Sequence, residues 1–269
     1  MQRVRQWFLF LLLALSGHIW LGVIHAAEPQ QLAMQSAPHT VALLEVYTSE
    51  GCNSCPPVDD WVSSITERGF RSEQMIPLAF HVDYWDYLGW PDRFAQAAFS
   101  QRQRAIAAHR GSRTVYTPQL VLQGQDFRSR SSFRQAVRQI NRVKARADIA
   151  LQVTPRAKAL TVEAQATMTE PVAQQHAVMY VALYENNLST AVTAGENRGR
   201  TLHHNFVVRQ WIGPLAPDSQ GIIRMQQDLV LERDWKSQDM GLVACVYHLQ
   251  TGDVLQAVAL ALQQQGNAP

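Results

Sequence analysis

Val41-Ala-Leu-Leu-Glu-Val-Tyr47, then Thr48-Ser-Glu-Gly51, then Cys52-Asn-Ser-Cys55-Pro-Pro57: this run decides the fold. The apolar stretch reads as a buried strand and the polar residues as a turn. The prolines open a helix on which Val58, Trp61, Val62 and Ile65 share one face. Strand, turn, C-x-x-C, helix is a setting in which two thiols form a redox couple. Cys52 lies near the unpaired N–H groups of a helix start, which favour a thiolate. Cys55 is close enough to resolve a mixed disulfide.

Outward from this run the rhythm continues. Met75–Val82 reads as a second buried strand, residues 93–109 as a helix, and Gln119–Leu122 as a third strand ended by Gly124. Asp126-Phe127 begins a short fourth strand. Residues 132–147 form a last helix with Phe133, Val137, Ile140 and Val143 on one face. Such alternation predicts an α/β layer with parallel strands. After Asp148 the pattern changes. Leu160, Val162, Ala164 and Ala166 alternate with polar residues, and strands follow at 178–184, 206–212, 222–231, 242–249 and 254–260, with Thr251-Gly252 as a hairpin turn. The expected architecture is therefore an α/β domain over 41–148 followed by an all-β sandwich-like domain over 149–263, with 27–40 as a polar linker.

Arg3 and Arg5, the apolar run Trp7–Leu15 and the small pair Ala26-Ala27 read as a signal peptide over residues 1–26. Whether cleaved or retained as an anchor, such a segment exports the rest of the chain, because the arginines stay inside. The expected location is periplasmic or secreted, with no membrane association unless the segment remains. The full chain carries 24 basic and 22 acidic residues; losing the two arginines leaves it neutral, which argues against nucleic acid as a partner. Residues 45–92 are acidic and 93–146 basic, a pairing of signs that one fold can neutralise internally.

The C-x-x-C pair admits three readings. A structural disulfide would close a loop too short to stabilise much. A zinc site lacks a second ligand pair. A redox couple needs nothing more. Cys245, alone in an apolar run, reads as a small buried hydrophobe. Pro56 and Pro57 remove two N–H donors, and Glu50, Asp59 and Asp60 add negative charge, so a strongly stabilised thiolate is not expected. His81 and Asp83 stand in an aromatic-rich segment ending at Trp90, where His81 could touch a thiolate or a metal. Gly195–Thr201 reads as a hairpin loop or a flap over the site. Arg134, Arg138, Arg142 and Arg146 recur as a basic stripe on the last helix. No nucleotide loop, Ser-His-Asp signature or H-E-x-x-H is present. No cofactor is implied.

Four segments, Thr48–Pro57, Phe80–Trp90, Tyr116–Pro118 and Gly195–Thr201, resemble the hallmark segments of a bacterial secreted family of the thioredoxin-like superfamily, classed as a domain of unknown function. The resemblance spans most of residues 41–262. It implies a thioredoxin-like N-terminal domain, with Cys52 as nucleophile, Cys55 as resolving thiol and Pro118 as a cis-proline. Tyr116 and Thr117 would help Pro118 shape a substrate groove. Three departures stand out: Gly51 replaces the usual Trp, 66 residues separate Cys52 from Pro118, and Glu45 precedes Cys52 by seven residues rather than six. That last shift puts Glu45 on the other strand face, so it enters only as an auxiliary candidate. The expected activity is thiol–disulfide exchange with a protein or small-molecule thiol. The rivals are copper binding through Cys52, Cys55 and His81, and a non-catalytic binding module.

Overall fold

The computed structural model describes residues 30–169 and 176–263; the signal peptide expected over 1–26 lies outside the described residues. The elements in chain order are β1 (Leu32–Gln35), β2 (Ala42–Thr48), α1 (Pro56–Ser63), β3 (Met75–His81), α2 (Ala97–His109), β4 (Gln119–Leu122), β5 (Gln125–Asp126) and α3 (Phe133–Ile140). Then come β6 (Ala147–Pro155), β7 (Ala159–Met168), β8 (Ala177–Glu185), β9 (Leu188–Ala191), β10 (Thr201–His204), β11 (Val207–Leu215), β12 (Ile222–Val230), β13 (Met240–His248) and β14 (Val254–Ala261). Among the described residues no helix is long and apolar enough to cross a membrane.

An α/β thioredoxin-like domain followed by a separate sandwich is not what forms. Among the described residues strands dominate, with three α-helices, and one eight-stranded sheet, ordered β14-β13-β8-β11-β3-β2-β4-β5, runs through both halves of the chain. β3 pairs in parallel with β2 on one side and with β11 on the other, where Val207 faces Ala79. The reason lies in the strands. β2, β3 and β13 are buried along their whole length, so an unpaired β3 edge would leave buried N–H and C=O groups without partners. The Ala79 N–H donates instead to the Phe206 carbonyl at 2.8 Å.

Alternation then builds three cores. On one sheet face, Leu43, Tyr47, Leu78 and Phe80 join Phe99 of α2 and Ala182, Val243 and Cys245 in a single cluster that spans both halves. On the opposite face, Ala42, Leu44 and Val46 pack under α1 and α3. Further along that face, Met179, Val181, Leu242 and Ala244 pack against a four-stranded sheet ordered β1-β6-β7-β12. A buried ion pair ties the halves together. Arg102 on α2 donates from Nε and Nη2 to the two Glu45 oxygens at 2.7 and 2.9 Å, and Tyr47 and Tyr247 donate to the same carboxylate. The guanidinium lies 4.5 Å from the Trp211 ring centroid.

Local expectations shift too. The segment taken as a linker contains β1, paired antiparallel with β6. α3 ends at Ile140, where the Asn141 amide turns back to the Thr40 and Gln74 carbonyls. Arg142 and Arg146 therefore leave the helical stripe, and Val143 is exposed.

Candidate functional site

β2 delivers the chain to a turn in which the Cys52 N–H donates to Ser49 O and the Cys55 N–H to Cys52 O. Cys55 is the N-cap of α1, and its carbonyl accepts from the N–H groups of Val58 and Asp59. All three cysteines are thiols. Cys52 and Cys55 are 1% and 0% exposed. Cys52 Sγ stands 3.2 Å from Ser54 Oγ and 3.8 Å from the Thr117 carbonyl oxygen, just before the cis Thr117–Pro118 bond. The hydrogen bond from Cys55, with further ones from Ser54 and Thr117, lowers the Cys52 thiol to about 6 against the cost of burial. Burial, and then the neighbouring Cys52, push Cys55 strongly the other way. The two sulfurs are thus driven in opposite directions, Cys52 toward the thiolate and Cys55 toward the protonated thiol. Gly51 fits because a Cβ there would meet Trp85 Cβ at 3.1 Å. Trp85 in turn donates from Nε1 to Thr117 Oγ1 at 2.7 Å.

Beneath the pair lies a buried acid. Asp59, one helical turn after Cys55, accepts from Thr48 Oγ1 at 2.9 Å. Thr48 also acts on the Cys55 thiol, working to lower it against the larger effect of burial. Burial raises the Asp59 carboxyl to about 7. Beside it sits a cluster of buried groups. His81 Nδ1 is 2.6 Å from Asp92 Oδ2, and the His81 and His204 rings meet edge to face at 4.9 Å. His204 Nε2 is 3.3 Å from Glu50 Oε1, close enough for charge pairing though off-line for a hydrogen bond. Burial works to raise Glu50, but contacts from His204, Thr190 and Trp90 outweigh it and hold the carboxyl below its usual range. His81 outweighs burial in the same way at Asp92, which also lies low.

The C-terminal half closes the site. The connection between β9 and β10 lays Asn197 against the cysteine turn, where its amide donates to the carbonyls of Glu50 at 2.8 Å and Cys52 at 3.0 Å. Glu196 accepts from the Asn53 N–H at 3.1 Å. Gly195, at φ +70°, lies so close to Trp90 that a Cβ would meet Trp90 Cβ at 3.0 Å.

Of the residues singled out from sequence, Cys52, Cys55, Thr117 and Pro118 come together, with Tyr116 at the mouth of an adjoining groove. Glu45 does not join them; it faces α2 and is consumed by Arg102. Asp83 serves Ser100 at the start of α2. His81 is turned toward Asp92 and His204. Among the described residues no group of three or more His, Cys, Asp or Glu side chains is set to hold a metal ion. Cys245 lies in β13, its thiol raised to about 12 by burial. Sequence reasoning gave no individual role to Asp59, His204, Glu196 or Asn197, reading Asp59 only as nearby negative charge. The four-residue step from Cys55 to Asp59 was the one available signal for the first. The last two fall in the Gly195–Thr201 segment, read from the sequence as either a hairpin loop or a flap over the site, and the structure lays it against the cysteine turn.

No curated protein matches this chain. Among solved structures, protein AGR_C_4864 from Agrobacterium tumefaciens is 21% identical, with a TM-score of 0.60 over 87% of this chain and 99% of that one. HBP35 of Porphyromonas gingivalis is 14% identical, with a TM-score of 0.64 over 87% of this chain and 80% of that one. At these identities the likeness is one of fold. A family model described as protein of unknown function (DUF1223) matches residues 43–247, from the strand that enters the cysteine turn to the last strand but one. With three quarters of its length so matched, the chain belongs to the DUF1223 family.

Proposed function

We propose that this protein is an exported thiol–disulfide oxidoreductase in which Cys52 attacks and Cys55 resolves. The observation that carries the reading is the geometry of the pair: Cys55 caps α1 above the buried Asp59, and Cys52 Sγ faces the Thr117 carbonyl just before the cis Thr117–Pro118 bond, with the two thiols shifted in opposite directions. In the reducing direction, the Cys52 thiolate attacks one sulfur of a substrate disulfide. The Cys52–substrate bond forms, the substrate S–S bond breaks, and the other substrate sulfur leaves as a thiolate. Cys55 then loses its proton and attacks the Cys52 sulfur, forming the Cys52–Cys55 disulfide and releasing the second substrate thiolate. Two electrons pass from the protein to the substrate; the oxidising direction is the reverse. Asp59, reached through Thr48, takes the Cys55 proton, and its value near 7 suits a group that must both accept and return one. Both sulfurs are buried, so a substrate reaches Cys52 when the Trp85 segment and the 192–200 connection part.

Export rests on the Arg3/Arg5 leader and its apolar run. The test of the activity is the potential of the Cys52–Cys55 pair, read by alkylation and mass spectrometry across thiol buffers. A reversible two-electron couple between about −270 and −120 mV supports exchange, whereas a pair still oxidised below about −300 mV is a structural disulfide and overturns it.

A further inference from the structure

Beside the cysteines runs a groove of about 310 Å³, lined by Val58 of α1, Tyr116, Pro118 and Leu120, and closed by Phe127, Arg128 and Arg130. It starts where the Thr117 carbonyl faces Cys52 and follows β4 outward. Leu120 lies two strand residues from Pro118, roughly 7 Å at the rise of a strand. The floor is apolar and the far end basic. One acid organises the wall: Asp126 accepts from the Tyr116 hydroxyl at 2.6 Å, from Gln119 Nε2 at 3.0 Å and from Arg128 Nε at 2.8 Å. Arg128 thereby keeps its two terminal amino groups for another partner, with its guanidinium 5.3 Å over the Tyr116 ring. Arg130 has no acidic partner among the described residues. Two guanidinium groups against one carboxylate leave the far end of the groove one charge positive.

Resting on the exchange reading above, we propose that the substrate is an anionic peptide thiol or disulfide, carrying a carboxylate within two residues of its cysteine. The cysteine sits at Cys52, the next residue lies over Tyr116, Pro118 and Phe127, and the carboxylate is held by Arg128 and Arg130. A tripeptide thiol such as glutathione and an acidic segment of a protein present the same chemistry. The groove holds a side chain or two rather than a large planar ligand. Charge-assisted hydrogen bonds from Arg to a carboxylate are strong enough to decide which disulfide is turned over.

The experiment compares kcat/KM of the full chain and of the Arg128→Gln/Arg130→Gln variant on four disulfides, with a small dithiol supplying the two electrons that regenerate the Cys52–Cys55 dithiol and its uncatalysed rate subtracted. These are glutathione disulfide, an acidic peptide disulfide, the same peptide with its carboxylates amidated, and neutral bis(2-hydroxyethyl) disulfide. Both substitutions are on exposed side chains, and the neutral disulfide reports whether the cysteines still work. The expected result is a roughly tenfold or greater loss on the anionic substrates, carried by KM, with the neutral ones unchanged. A loss on glutathione alone assigns the groove to a small thiol, and a loss on the peptide alone assigns it to a protein; either supports the proposal. Equal effects on charged and neutral substrates overturn the groove assignment while leaving the exchange reading standing. Failure of the unsubstituted protein to turn over any disulfide overturns both.

Discussion

Asp59→Asn should make the protein more stable in a pH-dependent way and, on the exchange reading, less active. The Asp59 carboxyl is raised from 3.8 to about 7 by burial. A group whose pKa is higher folded than unfolded contributes stability that is fully present below its unfolded value and is lost as pH rises through the folded one. Between pH 4 and pH 8 the wild type therefore loses about 4 kcal/mol from this one side chain, at about 1.4 kcal/mol per pKa unit. Asparagine does not titrate, yet its side-chain oxygen still accepts from Thr48 Oγ1. The difference between variant and wild type should be near zero at pH 4 and approach 4 kcal/mol in the variant's favour at pH 8. Equilibrium unfolding in urea under reducing conditions, at both pH values, measures it directly, because titrations elsewhere in the chain cancel between the two proteins. Function should move the other way: without the carboxylate, Cys55 has no acceptor for its proton, and the mixed disulfide on Cys52 accumulates. A stability difference equal at the two pH values would refute the assignment of a buried, near-neutral titration to Asp59.

Native reduced protein should alkylate at Cys52 with a midpoint near pH 6, while Cys55 reacts only after denaturation; a Cys52 midpoint near 9 would contradict the hydrogen-bond account of its acidity. Replacing Arg102 by Met strands Glu45 in the core and should cost about 3–5 kcal/mol in chemical denaturation while leaving the Cys52 pH profile in place. A loss below about 1 kcal/mol would mean that Glu45 does not depend on Arg102 for its place in the core. Asn197→Ala removes two hydrogen bonds to buried carbonyls, at about 1 kcal/mol each or more. It should speed Cys52 alkylation at an unchanged midpoint, and an unaltered rate would show that the 192–200 connection does not limit access.

The parts legible in the sequence are those set by local pattern. β2, β3 and β4 declare themselves as apolar runs, and the prolines after Cys55 mark a helix start. Alternation in β7 sets one face in and one face out. Period-2 reasoning also put Glu45 on the face opposite its neighbours: Leu44, Val46 and Thr48 face α1, and Glu45 faces α2. What misled was the change of rhythm near Asp148. A switch from mixed α/β to all-β pattern reads as a boundary between folds, but pattern carries no information about which strand covers which edge. β1 escaped notice because Leu32-Ala-Met-Gln35 is short and mostly exposed, held by its ladder to β6 rather than by burial.

The joined sheet explains why the site needs the whole chain. β8 and β11 are neighbours in the eight-stranded sheet, and the hairpin β9–β10 is the connection between them. Because β11 also pairs with β3, that hairpin is carried to the buried end of β3, where His81 meets His204. From there the same connection reaches Glu50, Cys52 and Asn53 through Asn197 and Glu196. A C-x-x-C turn on a free edge would be open to any thiol. Here the cysteine turn is hydrogen-bonded to a loop from the far half, and its sulfurs are buried beneath loops from both. Under the proposed exchange activity, the hairpin that covers the cysteine turn and the groove beside it, rather than the cysteines themselves, would set which substrate enters.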